Sequence, residues 1–573
     1  MKFLHFYCLY RLYFTSINET TDKSLYNTEK YGYSSKDRPI FSKYAINTEC
    51  TIAGKIGSNI IKNGGNAVDA AIATALTIGI VNSFSSGIGG GGFMIIKDNN
   101  HEIALDFREK APINTDIQYF IKNPKHAVNT MMSACVPGEI KGFHEAHNRF
   151  GKLPWKEIFR EPIELCQKGF KATSILITKL RKNEEQIIAD EGLRNIYTKN
   201  NNLIREGDLV YRKALGNTLK IISEDPESFY KGILAEKIVD FVKKKRGNIT
   251  KEDLLEYDIK ERPLLHGNFL DFKITTSSFP TSGAFLILGL NILQNFDLEM
   301  LKNQINNKND FIMYHLLIET FKHMFSKRGE AEDPDFMTRY QNKVDELISS
   351  KTAFKMFNQI SLGVAQDRDM LGITHDFVDD NGTTHLNVVD ENGMAVLLTS
   401  SVNLEFGSKI LDPETGILFN NHIDDFYIPG RTNYYNLVVD GLNLLEPKKR
   451  SFSSASPIIL ENDKEILFLG AAGGTKIPTS VISTILYYYV FDDLKKAINN
   501  YRIHDQLKPN FTLIESTFPS ILKRRLTDLG HTLKISHSNT TFTSVNGIVV
   551  KKGKNKIIQA VSDSRKAGFS CGE

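Results

Sequence analysis

The sequence has little cysteine, no long apolar run and almost no net charge. Five Cys among 573 residues are too few, and odd in number, for a disulfide scaffold. No stretch of 18 or more uncharged apolar residues occurs, so the sequence contains no clear membrane-spanning helix. Lys and Arg total 71 against 67 for Asp and Glu, and a formal charge of +4 is too small for a chain of this length to argue for a nucleic-acid partner.

The overall amino-acid composition is that of a folded protein. Hydrophobic residues make up 41 % and charged residues 24 %, which is close to average globular usage and excludes a disordered or fibrous chain. The length allows about four domains of ordinary size, or fewer if large α/β domains are present.

The N-terminus is the one candidate targeting segment. Residues 1–15 place a Lys before aromatic and aliphatic residues, as a short signal sequence does, but His5 and Arg11 interrupt the apolar run. Residues 16–40 are rich in Ser, Thr, Asn, Lys and Tyr, which is typical of a flexible stalk. We therefore expect residues 1–40 to be a targeting, anchoring or disordered segment. A signal or anchor would make the protein secreted or cell-surface, and the alternative is a mis-started N-terminus.

The first part of the chain alternates helical patterns with one glycine-rich turn. Residues 50–64 carry apolar residues on one helical face, and residues 67–80 are apolar almost all round, which predicts a buried helix. The glycine run at 87–92 then leads into a predicted buried strand at 93–96. A phosphate-binding loop needs the order strand, loop, helix, so this order of helix, loop, strand argues against nucleotide binding.

Strand patterns dominate the last third of the chain. Residues 384–389, 394–399 and 466–469 read as strands, and residues 390–393 supply a hairpin turn between the first two. Residues 140–245 and 300–365 read as helical. Because both parts contribute strands, we expect α/β layers that share their sheets and not separate domains.

Gly382-Thr383 precedes the first of these later strands. A Thr hydroxyl is a poor nucleophile unless a base lies beside it, and a Thr at the start of a chain can use its own α-amine as that base. A preceding Gly tolerates the strained backbone that self-cleavage requires. On its own this pair is common, and the alternative is an ordinary turn that enters a strand.

The residues around this pair resemble those of a known family, the γ-glutamyltranspeptidases, which are N-terminal nucleophile hydrolases. The resemblance covers roughly residues 42–570. Its motifs are 383–390, 399–403, 406–408, 415–426, 64–71, the glycine run at 87–92, 106–109, Ala111-Pro112, 136–138, 452–457, Gly470 with Gly473-Gly474, 502–504 and 563–566.

The resemblance implies a four-layer αββα fold and a precursor that cuts itself between Gly382 and Thr383. Residues 41–382 would form the large subunit and residues 383–573 the small subunit of one heterodimeric catalytic unit. The implied enzyme is a glutathione hydrolase and γ-glutamyltransferase, which passes the γ-glutamyl group of glutathione or related compounds to water, amino acids or dipeptides. No cofactor, metal or nucleic acid is implied.

The resemblance also assigns roles to individual residues. Thr383 would be the nucleophile, Ser401 would hydrogen-bond to it, and the backbone N–H groups of Gly473 and Gly474 would form the oxyanion hole. The residues predicted to bind the glutamyl group are Arg108, Ser453 and Ser454 at its α-carboxylate, and Asn403, His422 and Asp425 at its α-ammonium.

This sequence departs from the family pattern in a few places. His422 stands where the family usually has Glu or Gln, Ser401 where it usually has Thr, and Asn387 where Ser is usual. None of these changes removes a catalytic group, so we predict an active enzyme. The alternatives are a related acylase, a poly-γ-glutamate-cleaving enzyme and an inactive surface homologue.

Overall fold

The computed structural model describes residues 40–306, 310–371, 382–430, 442–536, 543–553 and 556–573. The predicted N-terminal segment therefore lies outside the described residues, except for residue 40, which begins a short strand.

Two antiparallel sheets of seven strands each form the middle of the molecule. Sheet I, which carries Thr383, has the strand order Phe569–Gly572, Ala45–Thr48, Gly382–Val389, Ala395–Asn403, Gly91–Lys97, Glu102–Phe107, Lys260–Arg262. Sheet II has the order Ile40–Phe41, Ile557–Ser562, Ser544–Lys551, Glu465–Ala472, Ile458–Glu461, Phe272–Ser277, Leu264–Phe269. The strands predicted at 384–389, 394–399 and 466–469 are all present, as Gly382–Val389, Ala395–Asn403 and Glu465–Ala472.

Helices cover the outer face of each sheet. The helices on the side of sheet I are Thr51–Lys62, Ala67–Val81, Glu139–Phe150, Trp155–Lys168, Ser174–Lys182, Glu184–Ala189, Glu191–Tyr197, Lys213–Glu224, Ser228–Lys231, Ile233–Lys244 and Lys251–Leu255. Those on the side of sheet II are Gly283–Leu293, Leu298–Asn306, Phe311–Arg328, Tyr340–Ile348, Ser350–Phe357, Ile477–Phe491, Leu494–Asn499 and Ser520–Asp528.

The hydrophobic core has one part for each interface between layers. One large cluster joins sheet I to its helices, a second joins sheet II to its helices, and a third lies between the sheets and contains Ile95, Leu397, Phe468 and Ile548. The predicted four-layer αββα arrangement is thus confirmed.

Shorter elements fill the edges of this frame. The helices Ile117–Lys122 and His126–Asn129 belong to a small fourth apolar cluster. The remaining strands are Ile503–His504, Thr512–Ile514, Leu533–Ile535, Phe170–Lys171, Leu209–Val210, Thr198–Lys199 and Asn202–Leu203. The 3₁₀ turns are Met131–Ser133, Pro334–Phe336, Arg368–Leu371, His422–Asp425, Gly474–Lys476 and Ser564–Lys566.

The predicted buried helix spans Ala67–Val81, and every one of its residues is buried. Asn66 caps it: its side chain accepts hydrogen bonds from the backbone N–H groups of Val68 and Asp69, and the Asp69 carboxylate accepts from the N–H of Asn66. Because the helix is covered on all sides, its sequence needs no polar face.

The glycine run at 87–92 serves packing. A Cβ at Gly90 would lie 2.2 Å from the Ser401 carbonyl oxygen, and one at Gly92 would lie 2.1 Å from that of Thr399. The strand Gly91–Lys97 pairs with Ala395–Asn403, with Gly92 opposite Ser400 and Gly91 opposite Ser401. The absence of side chains therefore lets two strands lie side by side at the end of the sheet where Thr383 is found.

None of the helices within the described residues is both long and apolar enough to span a membrane. The cysteines that the structure describes are Cys50, Cys135, Cys166 and Cys571, and all are free thiols.

Candidate active site

Thr383 is the second residue of the strand Gly382–Val389 and is 3 % exposed. It pairs with Ser401 of the neighbouring strand, whereas Gly382 pairs with Asn403, so the register shifts by one residue at this step. A Cβ at position 382 would lie 2.2 Å from the Leu404 carbonyl oxygen. Only glycine fits here, and the bulge places the 382–383 peptide bond beside the Ser401 hydroxyl.

Ser401 connects the Thr383 hydroxyl to the peptide bond before it. Its Oγ lies 2.8 Å from the Gly382 carbonyl oxygen and 3.2 Å from Thr383 Oγ1. A carbonyl oxygen can only accept, so the single Ser401 proton points to Gly382 and the Thr383 hydroxyl donates to Ser401. The backbone N–H of Asn403 also donates to Ser401 Oγ, at 2.9 Å. These bonds orient the Thr383 oxygen and polarise the Gly382 carbonyl together.

Asn403 presents an acceptor close to this network. Its backbone is left-handed, with φ of 77°, and its side-chain nitrogen donates to the Asn421 carbonyl oxygen at 3.0 Å. Its Oδ1 is buried and accepts no hydrogen bond from the described residues. A buried amide oxygen of this kind is suited to a cationic ligand group.

The glycines predicted to form the oxyanion hole lie in the turn between the last residue of a sheet II strand and the helix Ile477–Phe491. Gly473 and Gly474 follow the strand Glu465–Ala472 and have φ of 145° and 63°, which side-chain-bearing residues rarely adopt. Earlier on that strand, a Cβ at Gly470 would lie 2.1 Å from the His385 ring of the Thr383 strand, so the two strands approach closely across the sheets. Ile477, just after the turn, lines the same cavity as Thr383.

Arg108 follows the strand Glu102–Phe107 and is held at both its backbone and its side chain. Its carbonyl oxygen accepts a hydrogen bond from the Tyr257 hydroxyl at 2.9 Å. Its guanidinium donates to the Asp425 carboxylate and, at 2.6 Å from Nη1, to His422 Nε2. The side chain is 2 % exposed, so this ion pair is largely shielded from water.

His422 contacts the Arg108 guanidinium and is fully buried. Burial, together with the nearby Arg108 charge, lowers the pKa of His422 well below its usual 6.5. Its Nε2 accepts from Arg108 and lies 4.0 Å from Asp425 Oδ2. The imidazole is thus neutral, and its one acceptor nitrogen is used by Arg108 in this state.

Glu109 packs on the other side of the His422 ring. Its Oε1 lies 2.9 Å from His422 Nδ1, although neither atom makes a well-aligned hydrogen bond within the described residues. Burial raises the pKa of Glu109 to about 8, against the opposing effect of Arg108. The carboxyl is therefore protonated at neutral pH, and the Arg108 charge is balanced mainly by Asp425.

Ser453 and Ser454 reach the cavity from a loop that is anchored to the sheet II side. The N–H of Ser453 donates to the Pro280 carbonyl oxygen at 2.8 Å, and Ser454 Oγ accepts from Arg328 Nη2 at 2.7 Å. No motif in the sequence indicated Arg328 as a site residue.

Two further polar groups stand next to the nucleophile. Lys566 Nζ donates to the Thr383 carbonyl oxygen at 3.4 Å and lies 3.7 Å from Glu49 Oε1. Glu49 also accepts from Thr384 Oγ1, at 3.2 Å, and from Ser544. Lys566 belongs to a motif of the resemblance, but no local pattern indicated Glu49 because its partners are distant in the chain.

One cavity brings together half of the predicted site residues. It is lined by Gly92, Phe93, Arg108, Thr383, Thr399, Ser401, Ser453, Ser454, Ala455 and Ile477. Asp425 and His422 contact Arg108 directly, and Asn403 contacts Ser401. Gly473 and Gly474 are four and three residues, respectively, before Ile477 in the chain.

Two sheets between helix layers, with a threonine at the start of a central strand, define the N-terminal nucleophile hydrolase class. A cephalosporin acylase from Bacillus halodurans shares this fold, with a TM-score of 0.82 over 95 % of this chain and 98 % of that one, at 22 % identity. The gamma-glutamyltranspeptidase of Helicobacter pylori matches 60 % of this chain and 94 % of its own at 30 % identity and a TM-score of 0.50.

Sequence comparison identifies the family. The family model described as Gamma-glutamyltranspeptidase matches residues 53–572. Glutathione hydrolase proenzyme 1 of Schizosaccharomyces pombe is 38 % identical over 91 % of this chain and 83 % of its own length. Glutathione hydrolase 2 of Arabidopsis thaliana is 32 % identical over 92 % of this chain and 93 % of its own. The chain belongs to the gamma-glutamyltranspeptidase family, as the sequence motifs predicted.

Proposed function

We propose that this chain is a glutathione hydrolase and γ-glutamyltransferase that activates itself by cutting its own backbone before Thr383. The observation that carries the proposal is the arrangement of Thr383, Ser401 and the Gly382 carbonyl group in the cavity that Arg108 also lines. Relatives named glutathione hydrolase, at 32–38 % identity over nine-tenths of the chain, support the activity.

Self-cleavage follows from the hydroxyl contacts. Thr383 Oγ1 attacks the Gly382 carbonyl carbon, the bond from that carbon to the Thr383 nitrogen breaks, and the hydroxyl proton passes to that nitrogen. Ser401, which donates to the Gly382 oxygen at 2.8 Å, stabilises the negative charge that develops there. Water then hydrolyses the ester, which leaves a carboxylate on Gly382 and a free amine and hydroxyl on Thr383.

Turnover uses the same oxygen. The freed Thr383 amine takes the hydroxyl proton as Oγ1 attacks the γ-carbonyl carbon of the donor, and it then gives that proton to the leaving amine. The product is a γ-glutamyl ester on Thr383. Water or the amine of an acceptor attacks this ester and regenerates the hydroxyl. The N–H groups of Gly473 and Gly474 would hold the oxyanion in both steps.

The charged side of the cavity matches the α-amino acid end of a γ-glutamyl group. Arg108 and Asp425 pair with each other in this state. A zwitterion can replace that pair with two charge-assisted contacts, its carboxylate at Arg108 and its ammonium at Asp425. Ser453 and Ser454 would add hydrogen bonds to the carboxylate, and Asn403 Oδ1 would accept from the ammonium. His422 Nε2 becomes available to the ammonium only when Arg108 turns to the carboxylate.

The subunits and the acceptors are part of the same proposal. Cleavage would leave residues 1–382 and 383–573 as two chains that are held together, because strands from both form each sheet. Amino acids and dipeptides are the acceptors that we propose, since the deacylation step requires an uncharged amine nucleophile.

The test is to purify the full chain, sequence the N-terminus of the small fragment and assay a γ-glutamyl anilide. A fragment that begins at Thr383, together with release of the anilide, is the expected result. A chain that remains whole and inactive would support an inactive homologue. A cleaved chain that turns over acyl amides without an α-carboxylate, and not the γ-glutamyl donor, would support a related acylase.

A further inference from the structure

Arg328 ends the helix Phe311–Arg328 and directs its guanidinium at Ser454, in the loop that lines the cavity, and at Ser282, just before the helix Gly283–Leu293. Nη2 lies 2.7 Å from Ser454 Oγ, and Nη1 lies 3.1 Å from Ser282 Oγ. Ser282 Oγ in turn donates to the Ser453 carbonyl oxygen at 3.0 Å. One buried cation therefore contacts Ser454 directly and supports the backbone of Ser453 through Ser282.

These contacts determine which way the Ser454 hydroxyl donates. A guanidinium has N–H donors and no acceptor, so Ser454 Oγ must accept from Arg328. The Ser454 proton then points elsewhere, and Ser454 lines the cavity that holds Arg108 and Thr383. A serine that accepts a hydrogen bond from Arg328 keeps its own proton for another partner, as the recognition of a carboxylate requires.

The position of Arg328 also gives the cavity a second positive charge. The guanidinium lies 4.7 Å from the centre of the Phe452 ring and is buried. Burial lowers the pKa of Arg328 to about 9, so the side chain is still a cation at neutral pH. Arg108 and Arg328 approach the same cavity from different elements, and the Asp425 charge acts on both. An anionic ligand group would be attracted by both guanidinium groups.

We propose that Arg328 is a positioning residue for the α-carboxylate of the donor, because it holds Ser454 as a hydrogen-bond donor and adds positive charge behind it. This inference rests on the proposed γ-glutamyl activity. The competing explanation is that Arg328 only ties its helix to the 453–454 loop. If Arg328 had only that structural role, its replacement would lower stability and reduce the turnover of every substrate to the same extent.

The test is a double-mutant cycle on the processed enzyme with Arg328→Gln and Ser454→Ala. For Arg328→Gln we expect KM for a γ-glutamyl anilide to rise about 10- to 100-fold with a smaller change in kcat. Because Arg328 acts through Ser454, the double variant should be less impaired than the product of the two single effects. Arg328→Lys, which keeps the charge but not the fork, should fall between wild type and Arg328→Gln, and it serves if Arg328→Gln does not fold.

A second donor separates recognition from folding. A 4-aminobutyryl anilide keeps the amine and lacks the α-carboxylate, so its KM should change little in Arg328→Gln. Arg212 offers a matched control, because it is a buried arginine that donates to the Gly416 carbonyl oxygen outside the cavity. Arg212→Lys should lower thermal stability and leave the preference between the two donors unchanged.

The outcomes distinguish the two hypotheses. An equal loss on both donors would overturn the role of Arg328, and strictly multiplicative effects in the cycle would overturn its action through Ser454. Both results would leave the γ-glutamyl activity standing. A wild-type enzyme that does not prefer the donor with the α-carboxylate would instead overturn the proposed function.

Discussion

The two sides of the cavity are built in different ways. The hydroxyl side consists of Thr383, Ser401 and Asn403, which are neutral and lie on adjacent paired strands, with Thr383 and Ser401 only 18 positions apart. The charged side joins Arg108 to His422, which are 314 positions apart, and to Asp425. Strand register alone positions the first side, whereas the second depends on packing between distant segments.

This difference separates chemistry from recognition. The hydroxyl side acts on the Gly382 carbonyl within the chain, so it can work before any substrate is bound. We do not expect the charged side to take part in self-cleavage, because no substrate is bound in that step. Changes on the hydroxyl side should therefore affect self-cleavage and turnover, and changes on the charged side should affect turnover alone.

Thr383→Ala should have the largest effect. Without the hydroxyl there is no nucleophile for either reaction, so one uncut chain and no anilide release are expected on a gel and in the assay. Cleavage at 382/383 in this variant would show that an external protease makes the cut.

Ser401→Ala should slow both reactions. It removes the donor to the Gly382 oxygen and the acceptor for the Thr383 hydroxyl, and loss of one such donor costs about 100- to 1000-fold. The rate of conversion from precursor to subunits is the measurement. Ser401→Thr, which restores the residue usual in the family, is the matched control and should process normally.

Arg108→Lys should leave processing intact and impair turnover. The ammonium keeps the charge and loses the planar fork. Binding of the transition state should therefore weaken by about 2–4 kcal/mol, measured as a fall in kcat/KM for a γ-glutamyl anilide. Unchanged kcat/KM would mean that Arg108 serves only the buried pair with Asp425. Slower processing would show that the charged side also contributes to self-cleavage.

His422→Phe should raise KM about 10-fold, because it removes the acceptor that holds Arg108 Nη1. His422→Gln can accept the same hydrogen bond and should stay close to wild type. Since burial keeps the pKa of His422 well below 6.5, it is charged only at lower pH, and KM should not follow a His transition near neutral pH. A rise in KM as the pH falls through about 6.5 would show an exposed, titrating imidazole.

Glu109→Gln should have the smallest effect, seen in stability. The pKa of Glu109 is raised from 4.5 to about 8 in the folded protein. Between those values the unfolded carboxyl is ionised and the folded one is protonated, so the folded state binds more protons and stability falls as pH rises through this window. The variant lacks this contribution, and its melting temperature should fall less than that of wild type over the same window. Parallel curves would mean that Glu109 ionises normally.

Local patterns in the sequence predicted the helices and strands, and the family motifs predicted the nucleophile. The apolar composition of 67–80 predicted the buried helix Ala67–Val81, and residues 384–389 predicted a strand, which in the structure begins two residues earlier, at Gly382, and so includes Thr383. Helix and strand periods and turn residues are properties of neighbouring residues, so a single sequence is enough to predict them. The family motifs supplied the fold and the family, both of which are confirmed, while the roles of the site residues stay predictions.

Only the tertiary structure decided how the charged groups are arranged. Arg328 and Glu49 carry no local signal, since the partners of Arg328 are Ser282 and Ser454, 46 and 126 positions away. The sequence left open whether Asp425 raises the pKa of His422 or burial lowers it, and the fold settles this by burying the ring beside Arg108. Burial and Coulomb interactions depend on distances across the packed layers, and a linear sequence does not contain those distances.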